Sequence, residues 1–269
     1  MRIKPAAPRR LPLVILGALL LGGVSACGDT GSEPPKTLEL PAPGGDLPLP
    51  AGWTRQQLID RFVQLWSKTP KGLFANRWMG VRTEQNPFDV WVTQEILYQV
   101  RPDFVVEAGS MHGGSSILWS MILQEINPDG RVITIDIKDR RPDRARIHMA
   151  ARHVEFMLGS STDPAIVAEV EERVRGKKVL VILDSDHSKK HVLNELRAYA
   201  PLVDVGSYVI VQDGVINGHP LMWPMEPGPY EAVEEFMIDN DEFVIDLTRE
   251  RLLVTNNPHG YLKRVKPPS

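Results

Sequence analysis

Apolar and polar positions along this chain alternate between two periods. Five short runs are almost wholly apolar: "FVVEAG" from Phe104, "RVITID" from Arg131, "HVEFMLG" from His153, "KVLVILD" from Lys178 and "SYVIVQD" from Ser207. Each has the length of a strand, and apolar residues in unbroken succession predict a parallel sheet covered on both faces. Between them lie stretches with apolar residues at helical spacing: "GGSSILWSMILQEI", "PDRARIHMAA", "DPAIVAEVEERV" and "KKHVLNELRAYA". Two further helices precede the sheet. Thr54 is placed to cap one whose Leu58, Ile59, Phe62, Val63 and Trp66 share a face, and Pro87 opens "NPFDVWVTQEILYQV". After a last helix, "GPYEAVEEFMI", the segments "EFVID" and "RLLVT" are close enough to form an antiparallel pair. The pattern predicts a doubly wound, mostly parallel α/β sheet with an antiparallel edge pair at its C-terminal end.

The first 52 residues follow other rules. Arg2, Lys4, Arg9 and Arg10 precede a short apolar run, Leu11 to Gly23, and small residues lead to Cys27. This is a secretory signal pattern, too short in its apolar part for a comfortable membrane span. The ending "VSAC" is similar to a bacterial lipobox, and Cys27 is the single cysteine of the chain. Residues 1–27 are therefore expected to be a signal peptide ending at a lipidated Cys27, giving a membrane-anchored envelope lipoprotein. The alternative is an uncleaved anchor with the domain on the cytoplasmic face. Residues 28–52, rich in Pro and Gly, read as a tether, and 53–269 as the folded domain. With 269 residues, 42% of them hydrophobic, and a formal net charge of −3, the chain has enough apolar surface for one core. No basic excess points to nucleic acid. One cysteine excludes a disulfide framework and a thiolate metal site within the chain.

Candidate chemistry sits where the strands end, which is where such sheets bind ligands. "VVEAGSMHGGSS" ends a strand with Glu107 and opens a helix through Gly109, Ser110 and Gly113. Its E-x-G-x-x-x-G order resembles the S-adenosylmethionine (SAM) loop of class I methyltransferases rather than a dinucleotide fingerprint. In that reading Glu107, Gly109 and Gly113 hold the methionine part of SAM; Asp136, ending the next strand, holds the ribose. Ser160 and Ser161 fall where the adenine edge would lie. Asp184 and Asp213 close adjacent strands, so their carboxylates converge and repel unless a proton or cation lies between them. Oxygen ligands alone suit Mg²⁺, to which Gln212 could add a carbonyl. His187 is the candidate base for a substrate hydroxyl. The plainer reading is that Asp186 or Ser188 caps a helix and Lys189 and Lys190 are solvated. His112 lines the pocket at most, and His148 and His153 have no readable partner. In the Pro-rich "INGHPLMWPMEPGPY", His219 and Trp223 are placed to contact substrate if the segment is a lid.

These motifs, with "LDSDHSKKHV" the most specific, resemble the cephalosporin hydroxylase / rhamnosyl O-methyltransferase family from about Phe74 to the end of the chain. The resemblance implies a class I methyltransferase fold, SAM, and O-methylation of a hydroxyl on a sugar, glycolipid or related small molecule. It also implies Mg²⁺ held at Asp184, Gln212 and Asp213, although a Gln-Asp pair stands where relatives of the cephamycin enzyme have Glu-Asp. A homo-oligomer is compatible with the sequence. The alternative function is an inactive envelope lipoprotein that binds a small ligand in the same cleft.

Overall fold

The computed structural model describes residues 36–39, 48–70, 72, 75–222 and 227–267, all within one compact unit, 34–269. The signal segment, Cys27, most of the expected tether, Trp223 and Pro224 lie outside the described residues. In chain order come β1 (Thr37–Leu38), α1 (Arg55–Lys68), the hairpin β2 (Arg77–Trp78) and β3 (Val81–Arg82), α2 (Pro87–Val100), β4 (Phe104–Ala108) and α3 (Gly114–Ile126). Then follow β5 (Arg131–Asp136), α4 (Asp143–Arg146), β6 (Val154–Leu158), α5 (Pro164–Val174), β7 (Val179–Leu183) and α6 (Lys189–Tyr199). The chain finishes with β8 (Tyr208–Val211), α7 (Pro229–Ile238), β9 (Phe243–Asp246) and β10 (Tyr261–Arg264). No described helix is long and apolar enough to cross a membrane.

The eight-stranded sheet runs β1-β9-β10-β8-β7-β4-β5-β6. β10 is antiparallel to both neighbours, β8 and β9; the other pairings are parallel. From β4 the chain winds outward through β5 and β6, then returns to β7 on the opposite side of β4. Ligands bind at such a reversal, beyond the carboxyl ends of the strands. Here that point lies between Ala108 and Leu183, which are in register. Alternation along the strands sorts the core. Val106, Ile133, Val181 and Val209 face α5, α6 and α7; Val105, Val132, Leu180 and Ile210 face α2 and α3.

Helix starts follow the capping residues. Thr54 forms a capping box with Gln57, and Asn86 and Asp163 accept from the backbone N–H two residues on, each ahead of a proline. Three expectations are corrected. "RLLVT" is not a strand: a 3₁₀ turn at Leu247–Glu250 leads to Leu253 with φ +70, and Thr255 is drawn back to Asp89. The partner of β9 is instead β10, inserted between β8 and β9. "PDRARIHMAA" is not one helix: it breaks after Arg146, and His148 accepts from Ala150 N–H to cap a separate 3₁₀ turn. Finally, Thr37 and Leu38, expected in the tether, pair with Ile245 and Asp246 and so join the sheet edge.

Candidate functional site

A cleft of about 400 Å³ opens at the carboxyl ends of β4 and β7, within the range of small-molecule sites. One wall is the turn after β4. Gly109, at φ +96, lets this turn lie against the end of β7: a Cβ there would stand 1.9 Å from the Asp184 carbonyl oxygen. Its N–H donates to the Ile135 carbonyl at 2.8 Å. Gly113, at φ +75, caps α3 without a side chain. Ser110 lines the cleft, and its buried hydroxyl has no partner among the described residues.

Glu107 departs from expectation. It points away from the cleft, between β4, β5 and α3, and is 1% exposed. Ser116 and Thr134 hydroxyls donate to one carboxylate oxygen and Trp119 Nε1 to the other at 3.0 Å. Burial raises its pKa against the opposing effect of these three hydrogen bonds. Its action on the cleft is indirect: it ties α3 to the two strands that carry the turn. Asp136 stands just behind that turn, accepting from Met111 N–H at 2.8 Å and Lys138 N–H at 3.0 Å. It does not line the cleft. Nor does Ser160, whose hydroxyl meets Thr162; Ser161 is turned inward to His191 and Glu195.

The opposite wall brings Asp184, His187 and Asp213 together. His187 Nδ1 lies 3.3 Å from Asp213 and Nε2 lies 3.9 Å from Asp184. Burial, then the nearby charges of Asp213 and Glu107, holds the Asp184 carboxyl well above the usual carboxylate range. Two carboxylates and an imidazole nitrogen gathered within 4.8 Å of one another suit a divalent cation. The ligand set therefore differs from expectation. Gln212 is 5% exposed and locked with Gln85 in a reciprocal amide pair, at 2.8 and 3.0 Å. Its oxygen is already taken, and Gln85 also donates to Asp184 at 3.1 Å. Gln212→Glu is expected to bind Mg²⁺ roughly tenfold more tightly by adding ligand charge. The same change turns the Gln85 carbonyl against a carboxylate, so metal-free stability falls by about 1–3 kcal/mol. Titration calorimetry and urea unfolding read the two effects.

Other contributors were not legible in the sequence. Asp89, on the first turn of α2, accepts from Thr255, Asn256 N–H and Tyr261. Asn256 in turn reaches Asn86 at 3.2 Å and Asp213 at 3.5 Å, and Asn257 accepts from Asp213 N–H. This network fixes the loop that carries Asp213, whose φ is +57. Burial pushes the Asp89 carboxyl up to about 6 and Glu250, which accepts from His259 N–H, up to about 7. Unfolded, both ionise near pH 4. Between these limits the native state binds more protons than the unfolded chain, so stability falls as pH rises. Urea unfolding is expected to show roughly 2–4 kcal/mol more stability at pH 5 than at pH 8, with about half of that difference removed by Glu250→Gln.

The remaining candidates separate cleanly. His112 lines the cleft. His219 does not: it stacks on Tyr230 at 4.1 Å and meets Glu231 at 2.8 Å. Lys189 pairs with Glu235, and Asp186 accepts from Ser188 N–H ahead of α6.

Residues 72–265 match the family described as Rhamnosyl O-methyltransferase/CmcI. Rhamnosyl O-methyltransferase of Mycobacterium tuberculosis (strain H37Rv) is 36% identical over 209 residues, covering 74% of this chain and 80% of that protein. Its counterpart from Mycobacterium leprae is 35% identical over 194 residues, covering 70% and 82%. Among solved structures, CmcI in its apo form and CmcI with Mg and SAM each reach a TM-score of 0.54 at 21% identity, covering 87% of this chain and 92% of theirs. At that identity they show a shared class I methyltransferase fold. The breadth of the sequence match carries the assignment further: the chain belongs to the Rhamnosyl O-methyltransferase/CmcI family.

Proposed function

We propose that the protein is a SAM-dependent, Mg²⁺-assisted O-methyltransferase acting on a hydroxyl of a sugar, glycolipid or related small molecule. The observation that carries this reading is a single cleft with a glycine turn on one wall and Asp184, His187 and Asp213 on the other. SAM suits the turn, where Gly109 adds no side chain and the buried Ser110 hydroxyl has no partner among the described residues. Asp136 supports the turn through Met111 and becomes available to ribose hydroxyls if that backbone bond is exchanged. The acceptor hydroxyl would enter beside the acidic wall. Its oxygen forms the new bond to the methyl carbon as the carbon–sulfur bond breaks, and S-adenosylhomocysteine leaves uncharged. His187 takes the proton on Nε2, with Nδ1 oriented by Asp213. Mg²⁺ held by Asp184 and Asp213 would lower the acceptor's pKa. Most of the acceleration comes from holding oxygen and methyl in line.

Calorimetric titration of the full chain with SAM, with and without Mg²⁺, tests the reading. Micromolar binding is the expected result; no heat under either condition overturns it. A sugar-bearing acceptor is supported by the rhamnosyl name of the mycobacterial relatives. For location, the signal pattern and Cys27 support an envelope lipoprotein, with the stretch between Cys27 and β1 linking anchor to domain. Labelled palmitate is expected to enter the wild type and not Cys27→Ala; equal labelling would dismiss the lipobox.

A further inference from the structure

One edge of the domain is both apolar and basic. Met79, at the tip of the β2–β3 hairpin, is 63% exposed, Ile147 is 81% and Met149 is 75%. The segments that carry them are packed together. Arg144 donates to the Gly80 carbonyl at 3.2 Å, and Ala145 and Ala150 pack with Trp78 and Val81 of the hairpin. The same edge concentrates positive charge. Residues 137–153 hold six Lys and Arg against two Asp, in a chain whose formal net charge is −3. One of those acids, Asp139, is already held by Arg141 and Arg146. Arg77 and Arg144, both at the Gly80 carbonyl, and Arg140, beside Met111, are exposed on the same edge.

Large apolar side chains standing out singly, ringed by guanidinium groups, do not form a groove for a helix or peptide. They match the headgroup layer of an anionic bilayer, where the apolar tips lose water and the arginines meet phosphates. We propose that this edge docks on an anionic lipid surface, with Met79, Ile147 and Met149 entering the interface and Arg77, Arg140 and Arg144 on the phosphates. The edge runs into the cleft: Arg82 and Thr83 of the hairpin line it, as do Met111 and His112, and His112 Nδ1 lies 3.4 Å from the Arg140 carbonyl. Docking would set the cleft mouth beside the bilayer, within reach of a lipid-linked molecule. This contact is independent of Cys27 and of the methyl-transfer reading.

The test uses the full chain carrying Cys27→Ala, so that acylation cannot contribute, with one environment-sensitive nitrobenzoxadiazole label. Labels go at Met79→Cys, at Met149→Cys, or at Val205→Cys as a control on the far end of the sheet. With vesicles rich in phosphatidylglycerol, the labels at 79 and 149 are expected to brighten about twofold or more, reversibly with high salt. The label at 205 should not respond, and pure phosphatidylcholine vesicles should produce little change. Adding Arg140→Ala and Arg144→Ala should weaken the vesicle response by about 25-fold in lipid concentration, at roughly fivefold per arginine. Silence at 79 and 149 overturns the proposal. So does an equal response at 205, which would assign the binding to the N-terminal segment, and so does an equal response to heparin without lipid, which would assign it to polyanions.

Discussion

Gly109→Ala is expected to abolish SAM binding and to lower the unfolding free energy by roughly 3–4 kcal/mol. Two costs combine. At φ +96 any side chain strains its own backbone, and the new Cβ would also fall 1.9 Å from the Asp184 carbonyl oxygen. Neither partner has room to retreat. Asp184 N–H is bonded to the Ala108 carbonyl, and Gly109 N–H to that of Ile135, both at 2.8 Å. Relief requires the turn to lift from β7, which separates the two walls of the cleft. Gly176→Ala supplies the comparison, because φ is +70 there and nothing lies within 4 Å of the added carbon. It should cost about 1 kcal/mol from backbone strain alone. Equal stability losses in the two variants would show that the contact with Asp184 yields freely, and retention of SAM binding by Gly109→Ala would remove the turn from the site.

Asp184→Asn separates function from stability in opposite directions. Turnover is expected to fall about 10²–10³-fold and Mg²⁺ affinity by roughly 100-fold or more, because one of two anionic ligands is lost. Metal-free stability at pH 7 should rise by about 1–2 kcal/mol. The sign follows from the raised pKa. A carboxyl that holds its proton more tightly folded than unfolded destabilises the native state once it is ionised, and that cost grows as pH climbs from the unfolded value near 4 towards the raised one. Asparagine keeps the shape and an oxygen to accept from Gln85 while removing the charge repelled by Asp213 and Glu107. Unfolding and Mg²⁺ titration of the same preparation decide it. A variant that is less stable without metal would mean that Asp184 is held by contacts beyond those described.

Much of the fold was legible because its signals are local. Five apolar runs became β4 to β8, and Pro87 marked the start of α2. β10 escaped notice because "YLKR" is four residues long and half polar. Its place comes from pairing with β8 and β9, not from its own composition. In the site, Gly109, Asp184, His187 and Asp213 drew attention because each lies within four residues of the end of a strand. Glu107 was misplaced although the signal was present. Along β4 it shares a face with Val105, which packs on the α2–α3 side, and Ser116 and Trp119 sit on the inward face of α3 to receive it. Gln85, Asp89 and Asn256 gave no such signal. Their contacts with Asp184, Gln212, Asp213 and one another join residues 43 to 167 positions apart, and only the folded topology brings them together.

The position of β10 also sets the order in which the protein can be completed during synthesis. It is made after every other described strand, yet it belongs in the interior of the sheet, between β8 and β9. Until it arrives, both neighbours present bare edges, the geometry that recruits other chains. Its final residue, Arg264, is fully buried and donates to the carbonyls of Ala200, Pro201 and Val203, while also pairing with Glu242. A nascent chain stalled at residue 250 would thus carry the glycine turn and the acidic residues, but neither the Asn256 and Asn257 that fix Asp213 nor a closed sheet beneath them. Nonsense or frameshift changes between residues 250 and 264 should therefore be as damaging as changes in the cleft.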